Sequence, residues 1–257
     1  MFLISSHILV FWYNQPMNDF SFNSDNYRLD GTLFYPSSKK DTYPAILFVH
    51  GWTSKRARSF QYAGSLADLG YLCMLFDMRG HGTSQGDINK ATTKEFLDDV
   101  LAAYDYLSEV KGVDPENISV VGSSFGCYLI ALLSEKRKIK NLVLRAPADY
   151  PNEAFEKIKK VVSGDEPDVV KWRNQPKQPA ETFALEAIHN FEGNVLIIES
   201  EKDRRIPHQT VLNYMNAIKD KSKLNYVLMK NAPHSIKEGP FRDEVERILV
   251  EWFRNKF

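Results

Sequence analysis

The 257-residue sequence has few cysteines and no excess of charge of either sign. Its two cysteines, Cys73 and Cys127, lie in separate apolar runs and have the spacing of neither a metal site nor a redox pair. We interpret them as buried small hydrophobic residues in a reducing compartment, which predicts a cytoplasmic location. The 33 basic and 33 acidic residues give a net charge of zero, and this disfavours nucleic acid or an anionic membrane as the main partner.

The sequence also lacks a hydrophobic run long enough to cross a bilayer, which takes about 20 residues. Residues 2–13, FLISSHILVFWY, are mostly apolar, but no basic region precedes them and no small-residue cleavage site follows them. Three interpretations of the extension 1–16 stay open: an upstream mis-start with Met17 as the natural first residue, a short membrane-surface anchor, or a packed N-terminal strand. We favour the first and expect no stable membrane insertion.

Internal repeats and low-complexity tracts are absent as well, and the composition, 43% apolar and 26% charged, is that of an ordinary globular domain. Apolar runs that predict buried strands, such as AILFVH at 45–50 and YLCMLFD at 71–77, alternate with segments of helical periodicity. Strands that are buried on both faces and interleaved with helices are typical of parallel sheets. The sequence therefore predicts an α/β fold with a mostly parallel, doubly wound central sheet.

The predicted elements follow one another in a regular order. Thr92 and Glu95 form a capping-box pair before one of the helices. YRLDGTLFY at 27–35 predicts a pair of strands with Asp30-Gly31 as the turn, and so an antiparallel edge to the sheet. Further strands are predicted at 117–122, 141–146, 194–200 and 224–230, and helices at 58–69, 93–110, 125–136, 208–219 and 240–255.

One segment, about 147–190, breaks the alternation because it is rich in charge and proline but still contains large aromatic residues. We interpret it as a small helical cap inserted into a single domain that spans 17–257. The cap would supply pocket walls, with Phe155, Trp172 and Phe183 as candidates, although core packing is an alternative role for these side chains.

The stretch SVVGSSFGCYLIALL at 119–133 places small residues between two apolar runs. Its centre, Gly122 to Gly126, has the Gly-x-Ser-x-Gly pattern of a nucleophile elbow, in which a tight strand-to-helix turn strains the middle serine and exposes its hydroxyl. This predicts Ser124 as a nucleophile, with Ser123 as the competing candidate.

A serine nucleophile needs a base, and the base needs a group that orients it. His234 follows a predicted strand, and loops after parallel strands gather at one sheet edge, where sites form. Asp203 also follows a strand end, and the order Ser…Asp…His is the one expected for this arrangement. Asp149 is the second candidate for the acid, and Glu201 is a weaker one.

The stretch VHGWTS at 49–54 ends another strand with a glycine that lets the backbone approach a reacting carbonyl. The backbone N–H groups of Trp52 and Phe125 are the expected oxyanion donors, and losing one such donor typically costs roughly 3–4 kcal/mol of barrier. We expect His50 to be a structural hydrogen-bonding residue and not a base.

Together the motifs HGW, GSSFG, EKDRRIP and APHS resemble the α/β-hydrolase superfamily from about residue 27 to 257. DMRGHGTSQG at 77–86 is similar to a loop of its esterase, acyl-peptidase-like and feruloyl-esterase-like branches. The resemblance implies Ser124 as nucleophile, His234 as general base and then acid, Asp203 as its orienting residue, and Trp52 and Phe125 as oxyanion donors. It implies no metal and no cofactor.

The expected activity is that of a serine carboxylesterase acting on small-molecule esters of small to medium acyl or aromatic acids. The same triad would serve a thioesterase, an amidase or peptidase, or an acyltransferase, and a non-catalytic ligand-binding relative is the remaining alternative. The short cap disfavours action on long triglycerides. The sequence leaves the oligomeric state open, with a homodimer as one alternative.

Overall fold

The computed structural model describes residues 17–162 and 167–256, so the extension 1–16 and its three interpretations lie outside the described residues. The central feature is an eight-stranded sheet with the strand order β1-β2-β4-β3-β5-β6-β7-β8. Its strands are β1 (Met17–Ser24), β2 (Tyr27–Phe34), β3 (Tyr43–Val49), β4 (Leu72–Phe76), β5 (Val113–Ser123), β6 (Asn141–Arg145), β7 (Asn194–Lys202) and β8 (Leu224–Pro233).

Seven α-helices connect or flank these strands. They are α1 (Phe60–Asp68), α2 (Thr93–Glu109), α3 (Phe125–Ser134), α4 (Pro167–Arg173), α5 (Phe183–Asn190), α6 (His208–Ala217) and α7 (Pro240–Arg254). Short 3₁₀ turns lie at Arg56–Ser59, Asn152–Ala154, Lys159–Val162, Pro179–Glu181 and Lys221–Lys223. The predicted capping box of α2 is present, because the Thr92 side chain accepts from the Glu95 N–H and the Glu95 carboxylate accepts from the Thr92 N–H.

Helices cover both faces of the sheet, as a doubly wound architecture requires. Strands β3 to β8 are parallel to one another, and their apolar side chains are divided between two buried clusters. One cluster includes residues of α2, α3, α5 and α6, and the other includes residues of α1 and α7. The α/β fold predicted from the continuous apolar runs is confirmed.

The antiparallel edge of the sheet is present, but its turn is not where the sequence predicted it. β1 and β2 pair along their whole length, and the turn between them contains Asp25, which has a φ of 50°. Asp30 and Gly31 lie inside β2, so their assignment as the turn is wrong. Gly31 is required for packing, because a Cβ there would lie 2.3 Å from the Phe20 ring.

The segment between β6 and β7 contains α4, α5 and three of the 3₁₀ turns. Its ends pack on the domain: Ala184 and Leu185 of α5 are fully buried in the same cluster as α3. Among the helices of the described ranges, none is both long and apolar enough to cross a membrane.

Candidate active site

Ser124 lies at the turn from β5 into α3, at the carboxyl edge of the parallel strands. Its backbone has a φ of 52° and a ψ of −113°, a conformation that non-glycine residues rarely adopt. Hydrogen bonds hold this conformation on both sides: the Ser124 N–H donates to the Arg145 carbonyl at 2.9 Å, and the Ser124 carbonyl accepts from Cys127 N–H at 2.9 Å. The strain expected of a nucleophile elbow is therefore built into the backbone.

The two glycines of the motif are required by close backbone approaches. A Cβ at Gly122 would lie 2.9 Å from the Cys127 nitrogen in the first turn of α3. A Cβ at Gly126 would lie 2.3 Å from the carbonyl oxygen of Val49, which means that the second glycine lets α3 pass the end of β3. The contact predicted from the sequence was the one between β5 and α3, which are the strand and helix of the motif itself. The contact of α3 with the neighbouring strand β3 is closer and therefore the stronger constraint.

His234 and Asp203 come from the loops after β8 and β7 and meet at the same sheet edge. The His234 Nδ1 donates to the Asp203 Oδ2 over 2.6 Å, and both side chains are largely buried. The other Asp203 oxygen accepts from the N–H groups of Arg205 and Ile206 at 2.8 and 2.9 Å, which fixes the carboxylate in position. This pair leaves Nε2 of the imidazole as the nitrogen available to a hydroxyl.

The rival candidates make other contacts. Asp149 is buried and its Oδ1 accepts from the Tyr150 N–H at 2.9 Å, and Glu201 accepts from the Asn231 N–H at 2.7 Å. The hydroxyl of Ser123 accepts from the Arg145 guanidinium at 2.9 Å. None of these three side chains has a hydrogen bond to His234 among the described residues, so the geometry favours Asp203 over both alternative acids.

Ser124 and His234 line one cavity of about 500 Å³. The hydrogen bonds within the described ranges do not include one from the Ser124 hydroxyl to His234. Serine–imidazole hydrogen bonds are often long before substrate is bound and shorten in the reacting complex, so this geometry is compatible with a nucleophile–base pair.

The loop after β3 lies against the nucleophile turn. A Cβ at Gly51 would be 3.0 Å from the Ser123 carbonyl oxygen and 3.4 Å from the Ser124 Cβ, so glycine allows the loop to approach this closely. Neither the Trp52 nor the Phe125 backbone N–H donates a hydrogen bond to any described residue. The nucleophile turn and the loop after β3 thus each place one such N–H group next to a residue of this close contact.

Two histidines support this loop. The Nε2 of His50 accepts from the Met78 N–H at 3.1 Å, and its Nδ1 bonds the Gly51 carbonyl at 2.8 Å. Burial, together with nearby His81, lowers the pKa of His50 to about 4, so its ring is neutral near pH 7. The Nε2 of His81 accepts from the Thr53 N–H at 3.3 Å. His50 is a structural hydrogen-bonding residue, as predicted.

Arg145, the last residue of β6, contributes to the site and was not predicted. One guanidinium nitrogen donates to the Ser123 hydroxyl at 2.9 Å and another donates to the backbone carbonyl of His234. Its own carbonyl accepts from the Ser124 N–H. Arg145 therefore joins the nucleophile turn to the histidine loop, and the only sequence signal for it was a charge at the end of an otherwise apolar strand.

The aromatic candidates for pocket walls lie elsewhere. Phe155 and Phe183 pack against each other with ring centroids 5.9 Å apart, and the Lys177 ammonium lies 3.8 Å from the Trp172 ring. None of the three aromatic residues is among the described residues that line the cavity, whereas Tyr150 is. No group of three or more His, Cys, Asp or Glu residues within the described ranges is arranged to hold a metal ion.

A mostly parallel, doubly wound sheet with a strained serine between strand and helix, and with a histidine–carboxylate pair after β7 and β8, defines an α/β-hydrolase fold. The sequence profile of the prolyl oligopeptidase family matches residues 57–257, and the chain belongs to this family. The resemblance to the superfamily that was predicted from four short motifs is confirmed.

Similar proteins agree with this placement. The chain is 27% identical over 132 residues to quorum-quenching protein AidA of Acinetobacter baumannii, covering 50% of this chain and 43% of that protein. It is 27% identical over 154 residues to putative esterase/lipase 3 of Mycoplasma pneumoniae, covering 57% of this chain and 53% of that protein. The chain thus spans about half the length of these curated relatives.

The fold is also that of a solved structure, Est1E from Butyrivibrio proteoclasticus with bound ferulic acid. The TM-score is 0.70 at 18% sequence identity, and the match covers 91% of this chain and 97% of that one. At this level of identity the likeness concerns the fold alone.

Proposed function

We propose that this protein is a serine hydrolase that cleaves carboxylic esters of small to medium acyl or aromatic acids through an acyl-serine intermediate. The observation that carries the proposal is the 2.6 Å hydrogen bond between His234 and Asp203 in a cavity that Ser124, held at a φ of 52°, also lines. A nucleophile, a base and a group that orients the base are the parts that acyl transfer requires.

In the proposed reaction, Ser124 Oγ attacks the ester carbonyl while His234 Nε2 accepts the hydroxyl proton. Asp203 holds the imidazole in the tautomer with the proton on Nδ1 and stabilises the imidazolium. The oxyanion accepts hydrogen bonds from the Trp52 and Phe125 N–H groups. His234 then protonates the leaving alcohol, and a water molecule activated by the same imidazole hydrolyses the acyl-serine.

A second candidate is the hydrolysis of amide or peptide bonds by the same residues, and the family match to the prolyl oligopeptidases favours it. An amine is a poorer leaving group than an alcohol, so amide cleavage would depend more strongly on protonation by His234. A panel of acyl 4-nitrophenyl esters, the corresponding 4-nitroanilides and a thioester compares these activities under identical conditions. Dominant cleavage of the anilides would replace the ester proposal with the peptidase one.

The direct test is hydrolysis of 4-nitrophenyl acetate by the wild-type protein, by Ser124→Ala and by the matched control Ser123→Ala. We expect loss of at least about a thousandfold in kcat for Ser124→Ala, a far smaller loss for Ser123→Ala, and fluorophosphonate labelling of the wild type that Ser124→Ala abolishes. Equal hydrolysis by wild type and Ser124→Ala would refute the proposal. A small-molecule substrate and a cytoplasmic location belong to the same proposal, and Cys73 and Cys127, both free and buried, support that location.

A further inference from the structure

The candidate active-site cavity carries a strong excess of positive charge in a chain whose net charge is zero. No aspartate or glutamate is among the residues of the described ranges that line it. Six basic side chains line it: Arg58, Arg145, Lys160, Arg173, Arg205 and Lys237.

Three of these cations come from separate segments around the serine. Arg58 lies in the 3₁₀ turn before α1, Lys160 lies in the turn Lys159–Val162, and Lys237 follows the histidine loop. All three side chains are exposed, and none forms an ion pair with a carboxylate of the described residues. Other exposed cations of the chain do have partners, as Lys138 has in Glu116 and Lys94 has in Asp98.

The positive charge extends to the buried side of the cavity. The Lys159 ammonium is 4.4 Å from the centroid of the Tyr150 ring, and the Arg173 guanidinium carbon is 4.6 Å from it. Burial alone would raise the pKa of the Tyr150 phenol, but Lys159 and Arg173 outweigh that effect and the pKa is lowered. The phenol, itself a cavity-lining group, thus experiences a potential that stabilises negative charge.

Asp203 interacts with Arg145 and offsets only part of this potential. Its side chain is only 3% exposed, and it faces Nδ1 of His234, on the side of the imidazole away from the serine. A cleft lined by charges of one sign raises the local concentration and the association rate of ligands of the opposite sign, by tenfold or more. The cations here line the same cavity as Ser124, at which a substrate carbonyl would be attacked.

We infer, on the basis of the proposed acyl-serine chemistry, that the preferred substrates are esters that carry a second, anionic group, a carboxylate or a phosphate, in addition to the bond that is cleaved. The cations on the cavity rim attract this group, and they hold it while Ser124 attacks the ester carbonyl. The reaction itself is unchanged: the acyl–oxygen bond breaks, the alcohol leaves with a proton from His234, and water releases the acid.

The experiment compares two pairs of esters in which a free carboxylate is replaced by its methyl ester. Mono-4-nitrophenyl adipate and its methyl ester place the charge, or its neutral counterpart, on the acyl side. 4-Acetoxybenzoate and methyl 4-acetoxybenzoate place it on the alcohol side. We expect a kcat/KM about tenfold higher for the anionic member of at least one pair, and a fall of that advantage between low and high salt.

Variants then test whether the rim cations are responsible. In Arg58→Gln/Lys160→Gln/Lys237→Gln, the ratio of kcat/KM for anionic over neutral ester should fall at least about fivefold. The matched control Lys111→Gln/Lys136→Gln/Lys219→Gln removes the same charge from exposed lysines that do not line the cavity, and it should keep the wild-type ratio. Thermal unfolding of all three proteins monitors folding.

The outcomes separate the two proposals. Ser124-dependent hydrolysis with no preference for the anionic member of either pair overturns the inference and leaves the proposed function standing. An anionic preference that the rim variant retains, or that the control variant loses equally, also overturns it. Absence of Ser124-dependent hydrolysis of every ester overturns both. Inhibition of neutral-ester cleavage by free adipate or by phenyl phosphate would show which anionic group the site accepts better, and inhibition by neither would count against the inference.

Discussion

At the scale of single residues, position at a strand end was the informative signal. Asp203 and His234 were selected because they follow an apolar strand, and Ser124 was selected by the Gly-x-Ser-x-Gly pattern that follows one. The structure brings the acid and the histidine into direct contact. Their catalytic roles stay predictions. Arg145 could not be selected in this way, because its function depends on which loops its guanidinium reaches, and those loops are distant in sequence.

Replacement of Asp203 tests whether this residue is the carboxylate that orients His234. Asp203→Asn should lower kcat toward 4-nitrophenyl acetate by about a thousandfold or more, because an amide at this point favours the wrong imidazole tautomer. Asp149→Asn and Glu201→Gln are the matched controls, since both alter a carboxylate near the same sheet edge. A severe loss in Asp149→Asn together with a mild one in Asp203→Asn would assign the orienting role to Asp149.

Arg145 is expected to act as a positioning residue. Arg145→Lys keeps the charge but cannot bridge the Ser123 hydroxyl and the His234 carbonyl, whereas Arg145→Met removes both charge and bridge. Both should lower kcat/KM by about tenfold to a hundredfold, because small misplacements of reacting groups are costly. Only Arg145→Met loses the cation, and loss of a nearby positive charge favours the protonated imidazole. The acidic limb of its pH–rate profile should therefore move to higher pH.

The pH–rate profile separates this role from a purely structural one. A purely structural role would reduce the fraction of folded protein without moving the acidic limb of the profile along the pH axis. Superimposable profiles for wild type, Arg145→Lys and Arg145→Met would therefore contradict the prediction.

At the scale of secondary-structure elements, the periodicity of apolar residues predicted the helices and the parallel strands well. The antiparallel edge was harder to predict, because β1 has only Phe20 and Phe22 as alternating apolar residues among Asn, Asp and Ser, so its strand signal is short. Asp-Gly is a frequent turn signal, yet in β2 the glycine is required by the Phe20 ring across the strand pair. Such a constraint depends on the pairing partner and is not visible in the local sequence.

The contact between α3 and β3 gives a prediction at this scale. Gly126→Ala should destabilise the protein by about 1–3 kcal/mol, because the new methyl group would overlap the carbonyl oxygens of Val49 and His50. Urea unfolding measures the stability, and the fluorophosphonate labelling rate should fall at the same time because the oxyanion loop is displaced. Gly239→Ala is the comparison, since a Cβ there meets nothing within 4 Å, although its φ of 82° is unfavourable for alanine. A loss no larger for Gly126→Ala than for Gly239→Ala would contradict the interpretation.

At the scale of the whole molecule, the sequence predicted the class of fold but not the order of the strands. The exchange of β3 and β4 relative to their order in the chain, and the position of β7 and β8 at one side of the sheet, result from long-range pairing. The cavity is likewise a property of the assembled domain, because its basic residues come from segments throughout the chain. The zero net charge of the chain did not indicate this local excess.

The dependence of stability on pH is a further whole-molecule property. Burial raises the pKa of Asp149 to about 7, so between pH 4 and pH 7 the folded protein retains a proton that the unfolded chain has lost. The contribution of Asp149 to the free energy of unfolding is therefore at its maximum below pH 4, and it is lost as the pH rises through 7. Asp149→Asn removes this dependence.

Urea unfolding at a series of pH values measures the effect. Relative to wild type, Asp149→Asn should gain roughly 2 kcal/mol of unfolding free energy between pH 5 and pH 7. Because burial lowers the pKa of His50 to about 4, that histidine gives both proteins the opposite slope between pH 4 and pH 6.5, and the slope cancels in the comparison. A wild-type-to-variant difference that does not change with pH would contradict the prediction.

The distribution of the site over the sheet has a consequence for biosynthesis. Ser124 lies in the turn after β5, whereas Asp203 and His234 follow β7 and β8, which are synthesised later than that turn. A nascent or truncated chain that lacks β8 would carry Ser124 without His234, so under the proposed function it would be inert toward esters and toward fluorophosphonates. Reactivity with such a probe would then report the moment at which β7 and β8 have been synthesised and have joined the sheet.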